Sequence, residues 1–241
     1  MHIGALSAGR PAGIDEAMPE TIRIDPIEGG VATIVLSRPE KKNALSIALR
    51  DEMSDAIDTL VCDDAVKALV ITGAGNVFSG GFDLGEFREL CDPDHAKRLW
   101  DSSDRFHATL LRCPLPTIAA VNGPALAGGF DLAVLCDLRV ASTTAVFAHP
   151  EVTFGDVVYG PLHDLVGGAV ARELVLTGRS IDAAEALALR VVSAVVAPGD
   201  LAAEVARWTE QVTRAPREIL LRTKQKIIRR AGEHPRRTLD L

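Results

Sequence analysis

The sequence predicts an α/β fold in which parallel strands are joined by helical crossovers, and three observations predict it. Short apolar runs rich in β-branched residues recur along the chain, among them 31–36, 68–72 and 117–121. Stretches with apolar residues at helical spacing separate them, as in Leu45, Leu49, Met53, Ile57 and Leu60. Two of the runs end in glycine-containing turns, Phe78-Ser79-Gly80-Gly81-Phe82-Asp83-Leu84 and Asn122-Gly123-Pro124 through Gly128-Gly129-Phe130-Asp131. Strand and helix in alternation indicate crossover units of a parallel sheet.

In chain order, residues 22–24 and 31–36 read as two strands of a hairpin around Glu28-Gly29-Gly30. A helix follows over 45–60, with Ser46 available as its cap. Asp63 and Asp64 precede the strand 68–72. The helical stretch 97–112 is stopped by Pro114 and Pro116. Strand 117–121 leads through the second glycine turn into an apolar helix over 129–136. Strands at 138–141 and 146–148, a helix at 169–177, a helix at 183–189 and a strand at 191–196 come next. Helices at 201–213 and 216–231 close the chain.

With 241 residues, 47% hydrophobic and 24% charged, the chain can bury one sizeable core. Residues 1–19, rich in Gly, Ala and Pro and lacking an apolar h-region, read as a poorly ordered segment and not a secretory signal. Residues 20–200 read as the α/β core and 201–241 as a helical region, with no linker to a second domain. A net charge of −7 argues against nucleic acid as the partner. No stretch of about 18 residues is apolar and uncharged, so no membrane span is expected. Cys62, Cys91, Cys113 and Cys136 show no metal-ligand spacing and read as free, mostly buried thiols in a reducing compartment. A soluble, cytoplasmic protein without a metal is the expectation.

Glycine lets a backbone approach a ligand closely and leave N–H groups pointing outward. Two such turns at neighbouring strand ends can aim two donors at one oxygen, which is how an oxyanion hole stabilises the anion of a carbonyl compound. Gly128 and Gly129 also open a helix whose N-terminus carries partial positive charge. Asp131 lies in its first turn, either as a favourable N-terminal acid or as a catalytic carboxylate.

The ordered set Ser37-Arg38-Pro39-Glu40-Lys41-Lys42-Asn43-Ala44-Leu45, the Phe78–Leu84 turn, the segment from Ile118 to Cys136-Asp137, Pro150-Glu151 and Leu176-Thr177-Gly178 resembles the enoyl-CoA hydratase/isomerase (crotonase) superfamily over roughly residues 20 to 230. The resemblance implies a spiral of repeated ββα units with a C-terminal helical region, here shorter than usual, that packs in homotrimers or homohexamers. It implies an acyl-CoA thioester as substrate, in fatty acid and lipid metabolism. No cofactor is implied beyond the coenzyme A that the substrate carries.

By resemblance, the backbone N–H groups of Phe82 and Gly128 form the oxyanion hole. Phe82, where alanine is common, reshapes the acyl pocket. Asp83, Leu84 and Gly85 line the thioester and pantetheine arm, and Lys41 and Lys42, with Arg38, the nucleotide end. Glu151 and Asp131 match the family's two catalytic acids, Asp131 one methylene shorter than the family's glutamate. The implied reaction is hydration of a 2-enoyl-CoA, a lyase activity. An enoyl- or dienoyl-CoA double-bond isomerase and a catalytically silent acyl-CoA-binding relative are the alternatives. After Glu151 the chain departs from the family's glycine-rich loop, which leaves Asp156, Tyr159, His163 and Asp164 as further polar candidates. Arg190 stands where the family prefers glycine, a left-handed position that costs a side chain about 1 kcal/mol.

Overall fold

Strand β1 (Ile22–Ile24) pairs antiparallel with β2 (Val31–Leu36), and the hairpin turns through Gly29 and Gly30, both at positive φ. From β2 onward the large sheet is parallel. It continues through β3 (Ala68–Gly73), β4 (Thr117–Val121), β6 (Leu138–Ser142) and β9 (Ala194–Val196), in the order β1-β2-β3-β4-β6-β9. The registers place Ile34 beside Ile71, Ile71 beside Ala119 and Ala119 beside Arg139. The computed structural model of the chain describes residues 21–231 and 238; residues 1–19 lie outside the described residues.

A second, three-stranded sheet holds β5 (Ala125–Leu126), β7 (Val146–Ala148) and β8 (Ile181–Asp182) in the order β5-β7-β8. These strands and the helices alternate as the expected ββα repeat requires. The helices are α1 (Ile47–Val61), α2 (Pro93–Arg112), α3 (Gly128–Leu135), α4 (Gly160–Val166), α5 (Gly168–Thr177), α6 (Ala183–Ala188), α7 (Leu201–Thr213) and α8 (Arg217–Ala231). Thus β4, β5 and α3 follow one another, then β6 and β7 with α4 and α5, and each unit places its first strand in the large sheet and its second in the small one.

All five residues of β4 are buried, as a central parallel strand covered on both faces requires. Ala119 and Val121 enter the main core. Ile118 and Ala120, pointing the other way, join Val70 and Val140 against Leu201, Val205 and Trp208 of α7. Full burial of a large apolar side chain contributes about 1.5–3 kcal/mol, so this second cluster fixes α7 to the sheet.

Ser46 caps α1 as expected, accepting from the Leu49 N–H. Helix α2 begins a turn earlier than the expected 97, because Asp92 accepts from the N–H groups of Asp94 and His95 and Pro93 suits the first helical position. Helix α4 lies in the segment after Glu151 for which no element was expected, and Pro161 in its first turn suits a helix start. Val191 and Val192, expected in the last strand, are buried in the core but precede β9. Cys113 and Cys136 are buried, whereas Cys62 and Cys91 are exposed; all four are free. Among the described residues no helix is long and apolar enough to cross a membrane.

Arg190 does take the left-handed conformation, with φ of 66°, just beyond α6. Its side chain is exposed, so glycine there would lose no packing. The left-handed strain of about 1–2 kcal/mol exceeds the ~0.4–1 kcal/mol that glycine adds to the entropy of the unfolded chain. Arg190→Gly is therefore expected to stabilise the protein by about 0.5–1 kcal/mol in denaturant unfolding; a loss of stability would contradict this account of the turn.

Candidate active site

The small sheet continues beyond its three strands as a row of single bridges, Ser79 to Ala125 and Leu45 to Phe82. This row carries both glycine turns. Leu126 donates to the Ser79 carbonyl at 2.9 Å, and Leu45 donates to the Gly81 carbonyl at 2.8 Å. The first turn is backed by the loop from Arg38 to Asn43, where Gly80 donates to the Lys42 carbonyl at 2.8 Å. Buried Asn43 braces it from below, donating to the carbonyls of Ala74 and Val77 and accepting from the Arg38 N–H.

Gly81 has φ of +90°. A Cβ there would lie 2.7 Å from the Ala127 Cβ, 2.8 Å from the Leu126 carbonyl oxygen and 3.2 Å from the Gly128 nitrogen. The two turns therefore abut, with the Gly81–Phe82 peptide set against Gly128. Among the described residues neither the Phe82 N–H nor the Gly128 N–H donates to a protein acceptor. Gly128 is buried and Phe82 half-buried, so two neighbouring backbone donors stand side by side without a protein partner, where most such groups are paired. Gly128 is the first residue of α3, which adds the positive end of that helix. Ala127, ahead of it, holds φ 52° and ψ −130°, a costly conformation of the kind that clusters at functional sites.

The Phe82 side chain occupies the space that a side chain at 128 would need: a Cβ on Gly128 would meet the Phe82 Cδ1 at 2.8 Å. The Arg50 guanidinium lies 4.5 Å from the ring centre. Arg50 is fully buried, and its donors reach the carbonyls of Leu45 and Leu99 and the Ser102 hydroxyl, with no carboxylate among them. Burial lowers its pKa to about 10, so it remains a cation at neutral pH. Buried His107, beside the same ring, is pushed down to about 4 by burial and stays neutral. Arg50 adjoins the apolar stripe of α1 (Leu49, Met53, Ile57, Leu60) without belonging to it, so no feature of the sequence marks it as buried.

Glu151 sits in a short 3₁₀ turn, Pro150–Thr153, directly after β7 and His149. Asp131 projects from the first turn of α3. Between them stands His149, 1% exposed, with Nδ1 3.0 Å from Glu151 Oε1 and Nε2 3.8 Å from Asp131 Oδ1. Phe130, the neighbour of Asp131, stacks on the imidazole with ring centres 4.7 Å apart. Burial, reinforced by Glu151 and opposed by His149, pushes Asp131 up to about 7. Burial lowers His149, but Asp131 and Glu151 together outweigh it and the net shift is upward. Asp131 Oδ1, His149 Nε2 and Glu151 Oε2 are buried without a hydrogen-bond partner.

Asp131 and Glu151 stand out in the sequence as candidate acids, whereas His149, two residues before Glu151, carries no motif of its own there. The three residues offer metal-ligand atoms within 4.8 Å of one another. Their carboxylates address opposite nitrogens of one imidazole, so His149 stands as a bridge between the two acids.

The Asp83 carboxylate is engaged within the first turn, accepting from Arg38 at 3.0 Å and from the Gly85 N–H at 3.0 Å. Partial burial works against its ionisation, but these partners hold it below the usual carboxylate range. Leu84 is 60% exposed, and Gly85, Lys41 and Lys42 lie exposed around the same turn. Asp156 and Asp164 are exposed, while Tyr159 and His163 are half-buried against each other with ring centres 5.4 Å apart.

Residues 26–239 match a protein-family model described as enoyl-CoA hydratase/isomerase. A short-chain-enoyl-CoA hydratase of Clostridium acetobutylicum is 37% identical over 179 residues, 72% of this chain and 68% of its own. The crystal structure of an enoyl-CoA hydratase/isomerase from Xanthobacter autotrophicus Py2 superposes with a TM-score of 0.82 at 34% identity, covering 88% of this chain and 80% of that one. A Thermobifida fusca structure in complex with acetoacetyl-CoA superposes with a TM-score of 0.80 at 34% identity, covering 89% of each chain.

Proposed function

The chain belongs to the enoyl-CoA hydratase/isomerase family, and from that membership we propose that it adds water across the double bond of a 2-enoyl-CoA. The observation that carries this reading is that the two glycine turns abut and leave the N–H groups of Phe82 and Gly128 without protein acceptors, in a chain that also sets buried Asp131 and half-buried Glu151 around one imidazole. In this reading the thioester oxygen accepts from both N–H groups and holds the enolate charge, helped by the N-terminus of α3. Asp131 orients the water and takes its proton as the oxygen bonds to Cβ. Glu151 gives a proton to Cα, and the proton left on Asp131 returns to Glu151 by exchange with solvent. The roles of Leu84 and Gly85 along the pantetheine arm, and of Lys41 and Lys42 at the phosphates, belong to the same proposal. So do assembly into homotrimers or homohexamers and a cytoplasmic place in fatty acid metabolism. Phe154 and Leu176, 68% and 73% exposed, are large apolar side chains that an assembly would cover.

A base with a pKa near 7 suits work at neutral pH. Asp131→Asn is expected to lower hydration by about 10²–10⁴-fold and to spare exchange of the substrate's α-proton, because only hydration needs a second group on the water. Equal loss of both would favour a double-bond isomerase. Stability offers a second readout. The folded state holds the Asp131 proton up to about pH 7, against an ordinary value of 3.8. The native state thus binds more protons than the unfolded one between those values, and stability falls as pH rises through that window. The asparagine variant should lack this part of the decline.

A further inference from the structure

His149 is the least accessible of the three side chains at the candidate acids and the one that touches both of the others. Its ring is fixed from one side by Phe130, and the charged groups acting on it are Asp131 from α3 and Glu151 from its own turn. Each nitrogen has a separate task. Nδ1 lies 3.0 Å from Glu151 Oε1, within hydrogen-bond range, whereas Nε2 lies 3.8 Å from Asp131 Oδ1, beyond hydrogen-bond range but close enough for a strong Coulomb interaction. Glu151 Oε1 can accept from Nδ1–H whether or not Oε2 carries a proton, so the same bond persists in both states of the acid. Oε2, buried and unpartnered, is then the oxygen left for proton transfer.

We infer that His149 is a positioning residue for both acids: its Nδ1–H fixes Glu151 through Oε1 and leaves Oε2 to move the substrate proton, while the imidazolium balances Asp131 and Glu151 when both are ionised. This inference rests on the hydratase reading for its catalytic consequence and on geometry alone for the clamp. When Oε2 gives its proton to Cα, the Nδ1–H bond stabilises the carboxylate that forms. When Asp131 is ionised, the second nitrogen supplies the compensating charge without a second cation having to enter the site. No bond to His149 forms or breaks, and its two ring protons stay in place through the step.

The test uses the full chain with His149→Gln and His149→Ala, crotonyl-CoA as substrate, and ¹⁵N-histidine spectra of the ligand-free protein. Loss of orientation at a catalytic group commonly costs on the order of 10²-fold. His149→Ala should lower kcat by about that factor with KM little changed. His149→Gln should recover part of it, since an amide N–H can donate to Glu151 Oε1 without supplying charge. Without the imidazolium, Asp131 loses the partner that lowers its pKa, so the acid limb of the kcat/KM profile should move to higher pH in His149→Gln. In the wild type, one imidazole Nδ1–H resonance should vanish in His149→Gln and shift in Glu151→Gln. An unmoved acid limb, a kcat equal to wild type in both variants, or no Glu151-dependent resonance would overturn the inference. Should the alanine variant fail to fold, the glutamine variant and the spectra decide. If the wild type hydrates nothing, the hydratase reading falls, and the clamp is judged on the resonance alone.

Discussion

Glu151→Gln is expected to abolish exchange of the α-proton of a bound acyl-CoA with deuterium oxide while leaving binding nearly intact. The geometry makes this substitution specific. The glutamine carbonyl can still accept from His149 Nδ1, which lies 3.0 Å from Oε1 in the native protein, so the turn after β7 has reason to keep its shape. What disappears is the second, unpartnered oxygen and its capacity to carry a proton. General acid–base groups supply about 10²–10⁴-fold, a loss well within the reach of an exchange assay followed by mass spectrometry or NMR. Exchange that survives the substitution would place the proton carrier elsewhere, with Asp131 the nearest buried carboxyl.

Gly81→Ala is expected to be as damaging for a different reason. The residue has φ of +90°, and its new Cβ would press on the Leu126 carbonyl at 2.8 Å and on the Ala127 Cβ at 2.7 Å. Both obstacles belong to the second glycine turn, and a carbonyl in a row of bridges cannot swing aside as a flexible side chain does. Relief requires the two turns to move apart, which separates the Phe82 N–H from the Gly128 N–H. Loss of one oxyanion donor costs about 2.7–4 kcal/mol, or 10²–10³-fold in kcat. The substitution should lower kcat by that order and also lower stability by about 1–3 kcal/mol from left-handed strain and overpacking. A wild-type kcat in a folded Gly81→Ala protein would mean that the two turns do not act on one oxygen.

Much of the fold was legible because its signals are local. The strands over 31–36, 68–73 and 117–121 are continuous apolar runs, as buried parallel strands must be. The two-residue strands β5 and β8 were not legible, since two residues carry no periodicity; they exist because neighbouring units supply edges to pair with. At the site, the glycine turns and the two acids stood out in the sequence because motif and residue type coincide. Arg50 and His149 did not. Arg50 sits on a helix whose apolar stripe excludes it, and only the approach of Phe82 and the carbonyls of Leu45 and Leu99 makes its burial tolerable. His149 is two residues from Glu151, a spacing that on a plain strand puts both side chains on one face, but its tie to Asp131 spans 18 positions and depends on how α3 packs on β7.

The most direct test of the central claim is to mix the full chain with a short 2-enoyl-CoA such as crotonyl-CoA and follow the ultraviolet absorbance of the conjugated thioester, identifying the product by mass. Hydration through the Phe82–Gly128 hole and the Asp131–Glu151 pair predicts loss of that absorbance with formation of 3-hydroxyacyl-CoA, and a fall of at least about 10²-fold in Glu151→Gln. Tight binding of the enoyl-CoA with neither water addition nor any effect of Glu151→Gln would contradict it.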